Sequence, residues 1–357
     1  MRKGLLILAV LCFGPSLFGG EPGPEDLIEA GHWKRLRTVA AERVAANPGD
    51  AQALYLLGYA KLSLRDLAAA ETHVTKAVSL NGNKADYRFL LGHILGQKAS
   101  GVGIFEGMGL IRKFRKENDA ALKLDPNHLP SLLDLMEFYQ GAPAIAGGDT
   151  NKAAETAERI GKVDPARGFM AQASLASGEK KVDWSVVETL ERKAVEADPR
   201  SYRALMMLAN LYASDPFKRY DDAEALCRKA LKLDAGRGSA YSLLAILSVR
   251  RERLADLDAI LAQAEKSVPD DLGSHYQAAK ALFVAGKDLP RAEGYLRKYL
   301  ALEAEGEAPS HAAAHWRLGL VLEKQGRKPD AVREIEESLR LQPDFKPARE
   351  DLKRLKG

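Results

Sequence analysis

Cysteine is nearly missing from this 357-residue chain, with only Cys12 and Cys227. Cys12 lies in an apolar leader, so its removal leaves Cys227 alone and excludes an internal disulfide. Cys227 falls at a core-facing position and reads as a buried thiol. Aromatics are also scarce, at 7% with three Trp, while Leu, Ala, Glu, Lys and Arg dominate. That balance favours helices packed through small residues. Alternating apolar and polar runs flanked by turn residues are lacking, which argues against β-structure. Past the leader, no stretch reaches the ~20 apolar residues a membrane span needs. Nor is there a basic face. The net charge is +4, and Lys and Arg alternate with Asp and Glu. This excludes an evident nucleic-acid footprint, and the charges read as solvated helix faces. With 46% hydrophobic residues the chain can still build a core.

What is present begins with the leader, residues 1–20. Arg2 and Lys3 open it, Leu5 to Phe13 is apolar, and Gly14, Pro15, Ser16, Gly19 and Gly20 follow. This is the layout of a secretory signal peptide, expected to be cut near Gly19 or Gly20. Retention of the leader would instead leave an anchor. The expectation is an exported chain, in a bacterial periplasm or envelope, whose mature form has no membrane span.

The rest is organised around Ala312 to Phe345, AAAHWRLGLVLEKQGRKPDAVREIEESLRLQPDF. Leu318, Gly319 and Leu322 share one helix face by their spacing. Gly326 ends that helix, because glycine takes the left-handed conformation without steric cost. Ala331 and Ile335 mark a second helix, and Pro343 lies just beyond its end. Gly319 and Ala331 predict a close approach of two backbones. The Leu-Gly, Gly, Ala, Pro spacing over 34 residues resembles the tetratricopeptide repeat. The run from Leu91 to Ala153 also resembles exported bacterial proteins of that type with no assigned activity. There, a Lys-Ala-Ser stretch and an Ala-Pro…Gly-Gly segment recur in two loops.

On this register the fold class is all-α: a superhelical solenoid of about eight antiparallel helix pairs. A linker and N-terminal half-repeat occupy 21–50, and the array runs over 51–345. Its units are 51–84, 85–128, 129–167, 168–201, 202–237, 238–271, 272–309 and 310–345. The fourth is degenerate, with a short first helix broken at Ser177-Gly178. The second and third carry insertions, at 98–112 (KASGVGIFEGMGLIR) and 141–149 (GAPAIAGGD), read as loops emerging side by side. A charged helix at 346–357 caps the open apolar end. One hairpin buries too little surface to offset the ~1–2 kcal/mol per residue lost on ordering, so the units must stack.

Motifs for chemistry are weak. His311 and His315 are one helical turn apart, but the glutamate of HExxH is missing and His315 falls on a packing position. Gly101, Gly103, Gly107 and Gly109 do not match a phosphate-binding loop, and no Lys-Ser or Lys-Thr follows them. Neither a Gly-x-Ser-x-Gly nor a Cys/His pair offers a nucleophile. No metal, no cofactor and no catalytic residue is assigned, and the chain is not expected to be an enzyme.

The better candidate is the concave surface that the resemblance implies, lined by the first helix of each unit. Its exposed row would include Tyr55, Tyr59, Phe89, His93, Glu137, Arg203, Met206, Asn210, Tyr276 and Lys280. Aromatic and Arg side chains are common anchors in interfaces. An extended peptide or a partner helix is the expected ligand. The Lys/Asn set by which some repeats of this type grip a C-terminal carboxylate is not reproduced. A second candidate is an apolar patch of Ile104, Phe105, Met108, Leu110 and Ile145 on the two insertions, which either packs together or docks a partner. The expected role is a binding scaffold of the envelope. The alternatives are an assembly factor for an outer-membrane or secretion complex, and an enzyme or ligand site at the insertion edge.

Overall fold

A computed structural model describes residues 22–306 and 308–357, and within helices it leaves the side chain of Ile104 undescribed. The signal peptide expected at 1–20 lies outside the described residues. Among them there are nineteen α-helices and no strand. Two helices lead, α1 (Pro24–Ala30) and α2 (Trp33–Ala46). Pairs follow: α3 (Ala51–Ser63) with α4 (Leu67–Leu80), α5 (Ala85–Ala99) with α6 (Ile104–Leu124), α7 (Leu129–Gly141) with α8 (Thr150–Val163), and α9 (Pro165–Ser177) with α10 (Trp184–Ala197). The second half continues with α11 (Tyr202–Ala213) and α12 (Tyr220–Leu233), α13 (Gly238–Arg250) and α14 (Leu254–Ser267), α15 (Gly273–Ala285) and α16 (Leu289–Tyr299), and α17 (His311–Lys324) and α18 (Lys328–Leu341). The last helix is α19 (Lys346–Lys356).

Local chemistry starts these helices. Asp50, Asp66, Asp149, Asp164, Asp183, Ser201 and Ser310 each accept a backbone N–H of the first helical turn. Small residues then set the spacing within a pair. A Cβ on Gly319 would lie 2.5 Å from Cγ1 of Ile335 and 3.0 Å from the Ala331 carbonyl oxygen, so α17 and α18 meet where the sequence places its Gly and Ala. Gly58 repeats the device against Val74, at 2.3 Å. Cys227 is fully buried and unpaired, and burial pushes its thiol up to about 12. At the end of the stack α19 buries Ala348 and Leu355, and the Trp316 indole N–H donates to Asp351 at 2.8 Å.

Three sequence expectations change. Residues 98–112 do not form a loop. Only 100–103 break the chain; 98–99 end α5, and 104–112 lengthen α6 to 21 residues. Glycine inside a helix costs about 1 kcal/mol against alanine. At Gly107 packing offsets that cost: the residue is buried, and a Cβ there would crowd the Ala99 carbonyl oxygen at 3.2 Å. The fourth unit is not short either, since α9 has 13 residues. Pro165 falls inside the third unit's range of 129–167, near its end. It is the first residue of α9, where its fixed φ and missing N–H fit. Asp164 closes α8 and caps α9 with one residue. The tight join needs Gly168, whose Cβ would fall 2.2 Å from the Cα of Gly161. Lastly, the leading half-repeat has a first helix of its own, α1, ended by Gly31 at φ +81°.

Candidate interaction surface

The first helices of most neighbouring units touch one another along the stack, as they must if they form its inner wall. Its amino-terminal part carries a run of rings. Trp33 packs on Tyr59 at 5.4 Å between centroids, Tyr59 on Tyr55 at 6.1 Å, and Tyr55 stacks on Tyr87 at 4.9 Å. Phe89 continues it, 5.7 Å from His93 and 5.6 Å from His128. Tyr55, Tyr59, Phe89 and His93 are half-buried, so each keeps one face available. Burial raises the Tyr55 and Tyr59 phenols, which stay protonated donors at neutral pH.

Polar groups face this aromatic run. His93 is bonded to Asp134 at 2.8 Å and to Gln97 at 2.9 Å. Burial works against charge on the imidazole, but the Asp134 carboxylate outweighs it and the pKa is raised. Glu137 and Arg203 are exposed. Partial desolvation raises the Glu137 carboxyl, with Asp134 adding and His93 and Arg203 opposing. Desolvation also lowers Arg203, with Arg167 adding and Tyr59 and Glu137 opposing. Tyr59 from α3, Glu137 from α7 and Arg203 from α11 therefore share one electrostatic neighbourhood. These helices come from three different units, so the electrostatic influence of one on another depends on how the units stack.

The rest of the predicted row divides by position. Asn210 and Lys280 are exposed as expected, and Asn210 donates its side-chain N–H to the Met206 carbonyl at 2.8 Å. Met206 and Tyr276 are not part of an open wall. They are 7% and 5% exposed and belong to the core of the second half, where Tyr276 packs on Tyr299 at 5.4 Å. Residues three and four apart share a helix side only roughly, and here one neighbour faces the axis while the other faces the next unit.

A seam that no sequence pattern announced borders the wall. The stack turns far enough to bring α2 against the loops of the fifth to seventh units. Arg37 makes two bonds to Glu303, at 2.7 and 2.8 Å. Lys34 donates its backbone N–H to Glu305 at 2.9 Å and its ammonium to the Glu303 carbonyl at 2.8 Å. Arg35 pairs with Asp270, and Arg237 reaches Glu29 at 2.7 Å. Glu305 is buried, which raises its carboxyl, while Lys34 at 3.3 Å holds it down. Gly306 adopts φ +53° under Trp33, and a Cβ there would strike the indole at 2.7 Å. The single hint in the sequence is charge: KRLR at 34–37 matches EAEGE at 303–307.

Phe105, Met108 and Ile145 stay open to solvent and do not bury one another. Phe105 is 93% and Ile145 85% exposed, and Met108 is exposed too. Leu110 is different, being half-buried against Leu95, Phe114 and Leu135. Ile104 belongs to α6, and its side chain lies outside the description. The histidine pair is separated in function: His311 bonds the Leu302 carbonyl at 2.8 Å and His315 the Glu334 carboxylate at 2.7 Å. Among the described residues no three His, Cys, Asp or Glu side chains gather as a metal site. Glu191, which the sequence reading passed over, is buried on α10 with one oxygen unpartnered, and burial pushes it up to about 7. Its only clue is an acidic residue at a core-facing helical position.

Comparisons with known proteins agree with the architecture. A family model described as the tetratricopeptide repeat matches residues 187–240 and 276–344. A second with the same description matches 51–84. No curated protein sequence matches the chain. Among solved structures, yeast Tom70 is similar over 93% of this chain and 80% of its own, at 15% identity and a TM-score of 0.53. A tetratricopeptide repeat protein of Parabacteroides merdae is similar over 86% of this chain and 99% of its own, at 16% identity and a TM-score of 0.42. The likeness to Tom70 shows the fold.

Proposed function

We propose that this chain, a tetratricopeptide repeat protein, is a non-enzymatic binding scaffold of the bacterial cell envelope. Proteins of this type bind protein or peptide partners, and the array supplies the surface for it. The ligand is an extended peptide or a partner helix held on the inner wall. The observation that carries this reading is the run of half-buried rings, Tyr59 on Tyr55, Tyr55 on Tyr87, and Phe89 on His93, with the exposed Glu137 and Arg203 within electrostatic reach of it. Aromatic faces and an Arg fork suit a ligand with apolar side chains and a carbonyl or carboxylate acceptor. Tyr55, Phe89, His93, Asn210 and Lys280 extend the contact along the axis. The export reading rests on the three-part leader, and no helix among the described residues is long and apolar enough to cross a membrane.

The test is crosslinking in the native envelope, with a photoreactive side chain placed at Tyr59 and the captured chains identified by mass spectrometry. Arg203→Glu should weaken capture by about tenfold or more, as loss of a central anchor does. An equal capture by wild type and Arg203→Glu, or by a probe placed at the outward-facing Lys229, would overturn the inner wall as the site.

A further inference from the structure

The solvent face of α6 differs from those of the other second helices. On three other second helices an outward Arg is paired, Arg228 with Glu224, Arg297 with Glu293 and Arg340 with Glu337, while, among the described residues, Lys76, Lys162, Lys229, Lys232 and Lys266 stand exposed without an ion pair, at most two to a helix. On α6 Arg112, Lys113, Arg115, Lys116 and Lys123 are all exposed. Among the described residues, none of these five makes an ion pair or a side-chain hydrogen bond. Helical spacing gathers Phe105, Met108, Arg112, Arg115, Lys116 and Lys123 on one side, opposite the buried Gly107, Phe114, Asn118 and Ala121. Only Asp119 interrupts that stripe. Its amino-terminal end is apolar. Phe105 is 93% exposed, and Val102 and Met108 are exposed beside it. The second insertion adds to this end. Gly147 abuts the Arg115 guanidinium, with a Cβ position 3.4 Å from Nη1. That places the short turn bearing Ile145, 85% exposed, next to the α6 face.

We infer that this face docks the protein on an anionic phospholipid bilayer, with Phe105 and Ile145 entering the headgroup boundary and the α6 cations meeting the lipid phosphates. A shallow apolar tip beside an unpaired basic stripe is the pattern of a helix lying in a membrane interface. An acidic protein groove would satisfy the cations but would leave an isolated phenyl and a sec-butyl group without a flat apolar medium to enter. The surface faces away from the inner wall, so a ligand there and a bilayer here do not compete. The inference does not depend on the inner wall binding anything.

The experiment uses the full chain with Ile145→Cys carrying a polarity-sensitive fluorophore. Vesicles of equal parts phosphatidylglycerol and phosphatidylcholine are compared with phosphatidylcholine alone. The control is Val284→Cys, a position 70% exposed on α15, labelled the same way. The expected result is a blue shift at position 145 on anionic vesicles, lost in high salt, and none at position 284. Arg112→Gln with Lys116→Gln should weaken the anionic-vesicle affinity read by this probe by about thirty-fold, two surface cations' worth. The leader is the same in every variant, so its own attraction to lipid cannot produce a difference between the two labels. No shift at 145, equal shifts at 145 and 284, or indifference to the double substitution would each overturn the inference.

Discussion

From Ala173 to Leu355 most buried side chains belong to one large core, with Ala194 and Ala204 set apart in a small cluster with Met170, whereas the leading helices and first three units divide theirs among several small clusters. The two halves obey the same repeat, so the difference lies in what occupies the joints. In the second half the joints are Leu, Ala and Tyr: Leu205, Leu208, Tyr241, Leu244 and Leu282. Polar residues are buried in both halves, Asn118, His128 and Ser131 in the first and Ser248, Ser274, His275 and Ser338 in the second, but in the first the apolar clusters between them are small. Asn118 is fully buried with its Oδ1 unpartnered, and His128 and Ser131 are buried in a bond to each other at 2.9 Å. Gly92 and Gly96 let α5 and α6 approach closely within their unit, since a Cβ at either would be 3.0 Å from Asn118 or Phe114. A stack is as stable as its unit and interface terms together. The first half should therefore open locally at lower free energy than the second. The seam offsets this at one end only, by tying α2 to the loops of the stronger half.

The strongest challenge to this contrast is a cavity in each half. Leu244→Ala, in the continuous core, should cost about 2–5 kcal/mol in urea denaturation followed by circular dichroism. Leu90→Ala, equally buried but in a small cluster, should lower protection in hydrogen exchange of α3 to α6 and leave α13 to α18 unchanged. Matching losses of protection across both halves would show a single cooperative unit and end the contrast. Next is the join between halves. Gly168→Ala should destabilise by about 1–3 kcal/mol, because the new methyl meets Gly161 backbone and not a side chain that can turn away.

Glu191 sharpens the comparison through pH. Its folded pKa lies near 7, above the unfolded value of 4.5, so the folded state binds the proton more tightly. Stability from this group is present below pH 4.5 and is lost as pH rises toward 7. Glu191→Gln should thus stabilise by about 1–2 kcal/mol at pH 8 and change little at pH 4, read by thermal melts at both pH values. A stabilisation of the same size at pH 4 would show that packing, not charge, is responsible. The smallest effect is expected at the seam. Arg37→Gln should cost no more than about 1 kcal/mol, since the pair is partly exposed. It should nonetheless speed hydrogen exchange in α1 and α2 selectively, as should added salt.

Much of the architecture is legible in single stretches. Gly319 with Ala331, Gly326 and Pro343 specify a hairpin by local rules, and the structure has a helix pair there, His311–Lys324 and Lys328–Leu341. Where that reading slipped, a local signal had two meanings. Pro165 ends one pattern and starts another, and the glycines of 101–109 look like a loop but are divided between a short turn and a helix. The candidate surface was less legible. Tyr59, Glu137 and Arg203 were named from their place in each unit, but nothing in the spacing said that they share one neighbourhood. Met206 and Tyr276 fitted the same row and proved to be core.

The sequence alone determined which segments become helices, how they pair, and that each pair must lean on the next, because capping, helix period and apolar spacing act over a few residues. Only the tertiary structure decided how far the stack turns. A small rotation at every joint accumulates until Arg37 meets Glu303, 266 positions along the chain. That sum over many interfaces, which no short spacing encodes, sets which side chains of the inner wall stay open and which are sealed.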